Sequence, residues 1–326
     1  MNVVGFRKTV VVTECDHDAF REESQMAELA GIDFRVEQST SENLVGNCKD
    51  ADGILVQYAS IDSGVLDQLP RLQAIGRYGV GVDSVDIDAA TKRGVAVCNV
   101  PDYGTEAVSD HAIGLALSVA RGIPRLDRGV RAGEFALSAV RPLYQTRDRI
   151  FGVIGLGRIG EATARKAKGL GYQVVGWDVL ATPGEEREGV SIVSLDELLT
   201  VSQVISLHIP LTSENRGLIG QSAFQKMRSD AILVNTARGG IIDDYALVQA
   251  LQEKRIGGAG IDCHNSEPLS PDHPLTKFDN VVLTPHLAWY TEESYGELKR
   301  RTMEGVVEVL QGRVPRNIVN PEVLSK

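Results

Sequence analysis

The segment IFGVIGLGRIGEATARKAKGLGYQVVGWD, residues 150–178, constrains the fold more than any other part of the chain. A short apolar run leads into a glycine-rich turn, then a helical stretch, then a second apolar run ending in an acid. That is the order of a strand–turn–helix–strand unit able to hold a dinucleotide. Gly155 permits the tight turn, Gly157 lets the backbone approach a pyrophosphate, and Gly160 allows helix and strand to pack closely. The helix N-terminus offers free N–H groups and a partial positive charge to the phosphates. Asp178 can accept hydrogen bonds from both adenosine ribose hydroxyls and would repel a 2′-phosphate. NAD is therefore expected rather than NADP, and the following turn, VLATPGEER, supplies no early Arg to reverse that preference.

The same rhythm runs through the chain. TVVVTE, DFRVE, GILVQY, LQAIGRY and VAVCNV read as five strands in the first hundred residues, separated by the helical stretches FREESQMAELAG, SENLVGNC, DSGVLDQL and VDIDAATKRG. Alternating strands and helices imply a parallel sheet with helices on both faces. EAVSDHAIGLALSVA, within 105–121, is apolar nearly all round, the mark of a helix buried between domains or subunits. RIFGVIGLG, YQVVGWD, VISLHIP, AILVNTA, GGAGID and VVLTPH then resume the alternation, and TEESYGELKRRTMEGVVEVLQG has a helical period. The expected fold class is α/β, with two doubly wound parallel-sheet domains. A Rossmann domain over 102–289 would be inserted into a flavodoxin-like domain formed by 1–101, with the helix and tail of 290–326 returning to it.

At 326 residues, 43% of them hydrophobic, each domain can bury a core. The formal net charge of −10 and the lack of a basic run argue against nucleic-acid or membrane partners. Cys15, Cys48, Cys98 and Cys263 show no metal-ligand spacing, so reduced thiols and no resident metal are expected. The opening MNVVGFRKTVVVTEC reads as a first strand rather than a leader, and no apolar run is long enough to span a bilayer, which points to a cytoplasmic protein.

Three chemical groups close strand-like runs: Arg238 after AILVNTA, Glu267 after GGAGIDCHNS, and His286 after VVLTP. Open α/β sheets bind ligands beyond the carboxyl ends of their strands. A cation, a carboxylate and an imidazole gathered there are the groups needed to grip an α-keto acid and move one proton.

With GLGRIG and Asp178, the motifs HIPLTSEN, NTARGGIIDDYAL, GAGIDCHNSEPL, LTPHLAW and, upstream, GRYGVGVDSVD resemble the NAD-dependent D-isomer-specific 2-hydroxyacid dehydrogenases over essentially the whole length. The resemblance implies interconversion of a 2-keto acid and a D-2-hydroxy acid with NAD(H). Arg238 would bind the substrate carboxylate and polarise the keto oxygen, His286 would be the acid–base group, and Glu267 would hold the imidazole and favour its protonated form. The cofactor would be bounded by Leu156, Arg158 and Ile159 in the fingerprint turn, by His208, Ile209, Pro210, Thr212 and Asn215, and by Thr236, Ala237, Arg238, Asp262 and His286. Tyr58, Arg77, Tyr78, Val80, Gly81 and Trp289 would line the substrate side, with the Val80 and Gly81 N–H groups meeting a carboxylate. Cys263 reads as a small buried residue, and His111 as a member of the buried helix. A homodimer through the nucleotide-binding domain is expected, with the apolar helix at 106–121 as part of the contact.

HLAWYTEES, Arg77 and VAVCNVPDYGTEAVSDH are most similar to the C-terminal-binding-protein-like branch of that family. There an aromatic residue at the position of Trp289 touches the keto acid. The branch also carries a different role, that of an NAD-sensing transcriptional co-regulator, and D-3-phosphoglycerate is a further substrate to weigh. Glu267 argues against formate chemistry and Val80 against phosphite chemistry.

Overall fold

The computed structural model describes residues 7–136, 138 and 140–325. The chain divides into two compact units: Met1–Gly104 with Thr291–Lys326, and Thr105–Tyr290.

In the first unit, strands β1 (Thr9–Glu14), β2 (Asp33–Val36), β3 (Gly53–Val56), β4 (Ala74–Arg77) and β5 (Ala96–Cys98) form a wholly parallel sheet in the order β2-β1-β3-β4-β5. This is the flavodoxin-like order. Helices α1 (Arg21–Ala30), α2 (Leu44–Cys48), α3 (Ser63–Asp67) and α4 (Ile87–Lys92) connect the strands. The central strands are unbroken apolar runs because both faces of the sheet are covered. On one face, Val11, Ile54, Ile75 and Val97 pack with Leu44, Leu66 and Ala90. On the other lies the C-terminal helix Glu292–Leu310, whose Val306 approaches Gly53 and Gly76 so closely that a Cβ on either would fall within 2.8 Å of it. That helix starts with a capping box between Thr291 and Ser294. The tail then docks on β5, where Asn320 accepts the Val97 N–H at 2.8 Å and the Val319 N–H bonds back to Val97 O.

The second unit opens with α5 (Thr105–Ala120) and α6 (Ile123–Arg131). Its strands are β6 (Ile150–Ile154), β7 (Gln173–Trp177), β8 (Glu186–Arg187), β9 (Val190–Ile192), β10 (Val204–Leu207), β11 (Ile232–Asn235), β12 (Gly258–Ile261) and β13 (Val281–Leu283). They make an eight-stranded sheet in the order β13-β12-β11-β10-β6-β7-β9-β8, parallel except for the β8–β9 pair. The order reverses between β6 and β10, so a Rossmann switch point lies at the carboxyl ends of those two neighbours. Helices α7 (Arg158–Gly169), α8 (Leu195–Val201), α9 (Gln221–Lys226) and α10 (Asp244–Gln252) complete the unit, leaving α11 as the label of the C-terminal helix described above.

Two places hold elements that the sequence reading did not include. β8 and β9 lie in and just after a stretch read as turn, because two and three residues leave no period to detect. The polar stretch after α5 contains α6, a nine-residue helix with no buried residue. The apolar helix α5 packs one side inside its own unit. Ala112, Leu115 and Ala116 of α5 are buried in a core with Phe151, Val153 and Val234, and Leu115 stands over Gly260.

Candidate active site

The dinucleotide turn forms at the switch point. Gly155 has φ +93, a conformation side chains resist, and a Cβ there would meet the His208 carbonyl oxygen at 2.7 Å. A Cβ on Gly160 would lie 1.9 Å from Gly155 O, so α7 approaches the turn as closely as only glycine permits. Gly157 caps α7 without a side-chain hydrogen bond, and a Cβ on it would meet nothing within 4 Å. The first N–H groups of α7 therefore face an open approach. Asp178 accepts the Leu156 N–H at 2.8 Å on one oxygen and the Leu180 N–H at 2.9 Å on the other. The carboxylate is thus fixed at the mouth of the turn with lone pairs to spare for hydroxyl donors.

Beyond β10, Asn215 braces the loop: its amide donates to Pro210 O at 2.7 Å and accepts the Thr212 N–H at 2.8 Å. His208 sits 2.9 Å from Ser206 Oγ, and burial pushes its pKa down to about 3, so the ring is neutral. Beyond β11, the buried Asn235 side chain bonds both the Ala237 N–H and Arg238 O, which sets the bend that carries Arg238. The Thr236 hydroxyl is buried and has no partner among the described residues. An uncapped helix start, a glycine cradle, a positioned acid and an orphan hydroxyl at the carboxyl edge suit a dinucleotide whose phosphates and ribose bring acceptors and hydroxyls.

Glu267 and His286 meet directly. His286 Nδ1 stands 2.7 Å from Glu267 Oε2, and the other Glu267 oxygen accepts the His264 N–H at 2.8 Å. Burial disfavours the Glu267 charge, but the bonds to His286 and to His264 outweigh it and hold its pKa below the usual carboxylate value. His286 has φ +55, a left-handed backbone that its surroundings must impose. They do so through Asp262, which is fully buried and takes the Thr284 hydroxyl and the Leu287 and Ala288 N–H groups on its carboxylate. His111 on α5 joins the same network, with Nε2 3.0 Å from Thr284 Oγ1. Arg238 is brought to this end by a close approach. A Cβ on Gly239 would lie 2.1 Å from the His264 carbonyl carbon, and Cys263 Sγ donates to Ala237 O at 3.3 Å. Trp289 stacks edge-on against Tyr290, ring centroids 5.8 Å apart.

Sequence reasoning placed Asp262 beside the cofactor and missed what its carboxylate does for the His286 loop. A buried acid at the end of an all-apolar strand is the signal, since such a group must find donors. Nothing in the local pattern marks the His264 ring or Thr284: the ring meets Thr284 O at 2.9 Å, and the Thr284 hydroxyl meets Asp262 and His111, all far away in sequence.

In the first unit, Tyr58 is exposed and donates its hydroxyl to Asp16 at 2.7 Å, while Glu14 accepts the N–H groups of Gln57, Tyr58 and Ala59. The loop after β4 turns at Gly79, φ +144, with the Arg77 guanidinium folded over it, and Val80 O accepts the Asn99 amide. Val80 is exposed and Gly81 partly so. Tyr78 departs from its expected place on a ligand surface. It is 2% exposed and donates to the buried Glu23 at 2.9 Å, so it anchors the loop from within. A separate cavity of about 670 Å³ in the second unit, lined by Arg149, Tyr172, Gln203 and Val282, contains none of the expected site residues.

Residues 113–288 match the family model for the D-isomer specific 2-hydroxyacid dehydrogenase, NAD binding domain. The chain is 39% identical to a glyoxylate reductase from Korarchaeum cryptofilum over 288 residues, covering 86% of each protein. It is 40% identical to a D-3-phosphoglycerate dehydrogenase from Archaeoglobus fulgidus over 293 residues, 89% of this chain but only 55% of that longer protein. Among solved structures it resembles the D-lactate dehydrogenase from Aquifex aeolicus complexed with NAD and lactic acid, with a TM-score of 0.85, 28% identity, and coverage of 96% and 99% of the two chains. The chain belongs to the D-isomer-specific 2-hydroxyacid dehydrogenase family.

Proposed function

We propose that His286, oriented by Glu267, is the proton donor and acceptor in an NAD(H)-dependent interconversion of a 2-keto acid and its D-2-hydroxy acid. The observation that carries this reading is the 2.7 Å contact between His286 Nδ1 and Glu267 Oε2 at the carboxyl edge of the nucleotide-binding sheet. With Nδ1–H donated to the carboxylate, the second ring nitrogen, Nε2, is the atom left to exchange a proton with substrate. When bound, NADH supplies a hydride to the carbonyl carbon, and NAD⁺ takes one back in the reverse direction. As the carbonyl π pair moves onto oxygen, His286 Nε2–H delivers the proton and the ring returns to neutral. Arg238 lies one residue past the Ala237 carbonyl that Cys263 contacts, and its permanent charge stabilises the developing alkoxide and the substrate carboxylate. Glu267 stays ionised throughout and compensates the imidazolium.

Asp178 supports NAD over NADP, because a second negative group beside its carboxylate would be repelled. Glyoxylate reductases among the relatives favour a small unphosphorylated keto acid, and the Trp289–Tyr290 pair offers an aromatic surface for a short apolar side chain. D-3-phosphoglycerate is the competing substrate, favoured by the relative of that name, although that protein extends well beyond this chain. Steady-state kinetics with NADH over glyoxylate, pyruvate, longer 2-keto acids and 3-phosphohydroxypyruvate separates them. No reduction of any member would overturn the enzymatic reading in favour of an NAD-sensing binding protein.

The nucleotide-binding unit is also proposed to pair with a second copy. Ile123, Leu126 and Val130 of α6 are 53%, 37% and 51% exposed at helical spacing, and Phe135 beyond them is 86% exposed. An apolar stripe of that kind calls for a cover. A concentration-independent monomer mass would overturn this assignment.

A further inference from the structure

We infer that Cys263, Glu267 and His286 form a binding site for a thiophilic divalent cation such as Zn²⁺, and that occupancy switches the enzyme off. A sulfur, a carboxylate oxygen and a ring nitrogen from these residues lie within 4.8 Å of one another. Nothing in the linear spacing announces the group. Cys263 and His286 follow β12 and β13, which are neighbours in the sheet, and Glu267, in the loop after Cys263, reaches His286. Tetrahedral zinc with Zn–N, Zn–O and Zn–S bonds of 2.0–2.3 Å needs donors about 3.3–3.8 Å apart. Rotations of roughly an ångström at the donor atoms would close the shell, with water as the fourth ligand. The mixture of soft thiolate, imidazole and carboxylate is one that Zn²⁺ or Co²⁺ accepts and Mg²⁺ does not.

The donors differ in access. Cys263 is 2% exposed, whereas the His286 and Glu267 side chains are 27% and 34% exposed, so an ion enters from their side and meets sulfur at the back. Binding replaces the thiol proton of Cys263 by the metal and breaks the contact between His286 Nδ1 and Glu267, so the ring can no longer serve as imidazolium. The proton step fails while the glycine turn and Asp178 are untouched. The inhibitory consequence rests on the acid–base reading of His286, but metal binding itself does not.

Chloride salts of Co²⁺ and Zn²⁺ added to the protein with NADH present test both parts. Wild type should develop a near-ultraviolet thiolate-to-cobalt absorption saturating at one ion per chain, and Zn²⁺ should displace it. Cys263→Ser and Cys263→Ala should lack the band, and His286→Asn should weaken cobalt binding. Inhibition of each variant is read against that variant's own metal-free rate, because the Cys263 thiol also bonds Ala237 O beside Arg238. Cys263→Ala should need at least about tenfold more Zn²⁺ than wild type for half-inhibition, since loss of even an outer partner of a metal site costs about that much. NADH fluorescence titration verifies that each variant is folded. No band in wild type, or an undiminished band in Cys263→Ser, overturns the site. A normal band with turnover unaffected by saturating Zn²⁺ upholds the site and overturns the role given to His286.

Discussion

Asp262 accepts the His286 N–H on its carbonyl oxygen at 2.8 Å, and the same residue's buried carboxylate takes the N–H groups of Leu287 and Ala288. One acid thus holds the backbone at the imidazole and just beyond it, and offsets the cost of the left-handed conformation at His286, about 1–3 kcal/mol. The sequence motif LTPH supplies the imidazole; the neighbouring strand supplies its position.

Asp262→Asn tests that division. An amide keeps one acceptor oxygen but turns two N–H donors toward groups that themselves donate. Hydrogen bonds to a buried charge contribute about 1.5–3 kcal/mol, and chemical denaturation should report a loss of that order. Turnover should fall roughly tenfold or more through misplacement of His286, because small displacements of reacting groups carry penalties of that size. Unchanged kcat in a destabilised variant would mean the network is purely structural.

Glu267→Gln should lower kcat by about 10²-fold or more, since a neutral partner no longer stabilises the imidazolium. It should also change the acid limb of stability. The Glu267 pKa is lowered on folding from the ordinary 4.5, so its contribution is present above that value and is lost as pH falls through the lower folded value. The stability difference between wild type and variant should therefore shrink on acidification. A difference that is constant between neutral pH and strongly acidic solution would contradict the ionised assignment.

How much of this was legible from residues follows physical lines. Strands β1, β3 to β7 and β10 to β13 were readable because buried parallel strands are apolar runs that need no partner to be noticed, whereas β2, DFRV at the sheet edge, was readable only from the strand–helix alternation. GLGRIG and Asp178 were readable because turn chemistry is local. The helix α6 was not, because its stripe of Ile123, Leu126 and Val130 is short, packs on no core and is set among charged residues. Tyr78 was misplaced because its neighbours in the loop suggested a ligand surface, while the group that claims its hydroxyl, Glu23, is on α1, 55 residues away in sequence. The grouping of Cys263 with His286 likewise depends on strand order, which spacing alone does not encode.

Asp178→Ala should weaken NADH binding by about 10-fold or more while narrowing the gap between NADH and NADPH. It removes both the ribose acceptor and the support of the Leu156 N–H at 2.8 Å. Fluorescence titration with the two cofactors measures it. Equal losses for both would show that the acid serves only the turn.

Glu23 lies fully buried, with the Tyr78 hydroxyl on one oxygen and His17 Nδ1 4.0 Å away. Burial raises the Glu23 pKa and lowers that of His17 to about 4. A carboxyl whose pKa is raised above 4.5 on folding stabilises fully below that value and loses its contribution as pH rises through the folded value. Glu23→Gln keeps the Tyr78 bond without the titration, so its stability relative to wild type should increase from acidic to neutral pH. Thermal unfolding over that range decides it, and a decreasing advantage would reverse the sign.

In the proposed mechanism His286 carries the proton while the glycine turn and Asp178 hold the dinucleotide. The most direct measurement is a single-turnover reduction of a 2-keto acid by pre-bound NADH in His286→Asn, alongside a fluorescence titration of NADH. The transfer rate should be lower by at least about 10³-fold, with the NADH dissociation constant within about threefold of wild type. Transfer at a wild-type rate, or a loss of NADH binding that accounts for the whole effect, would contradict it.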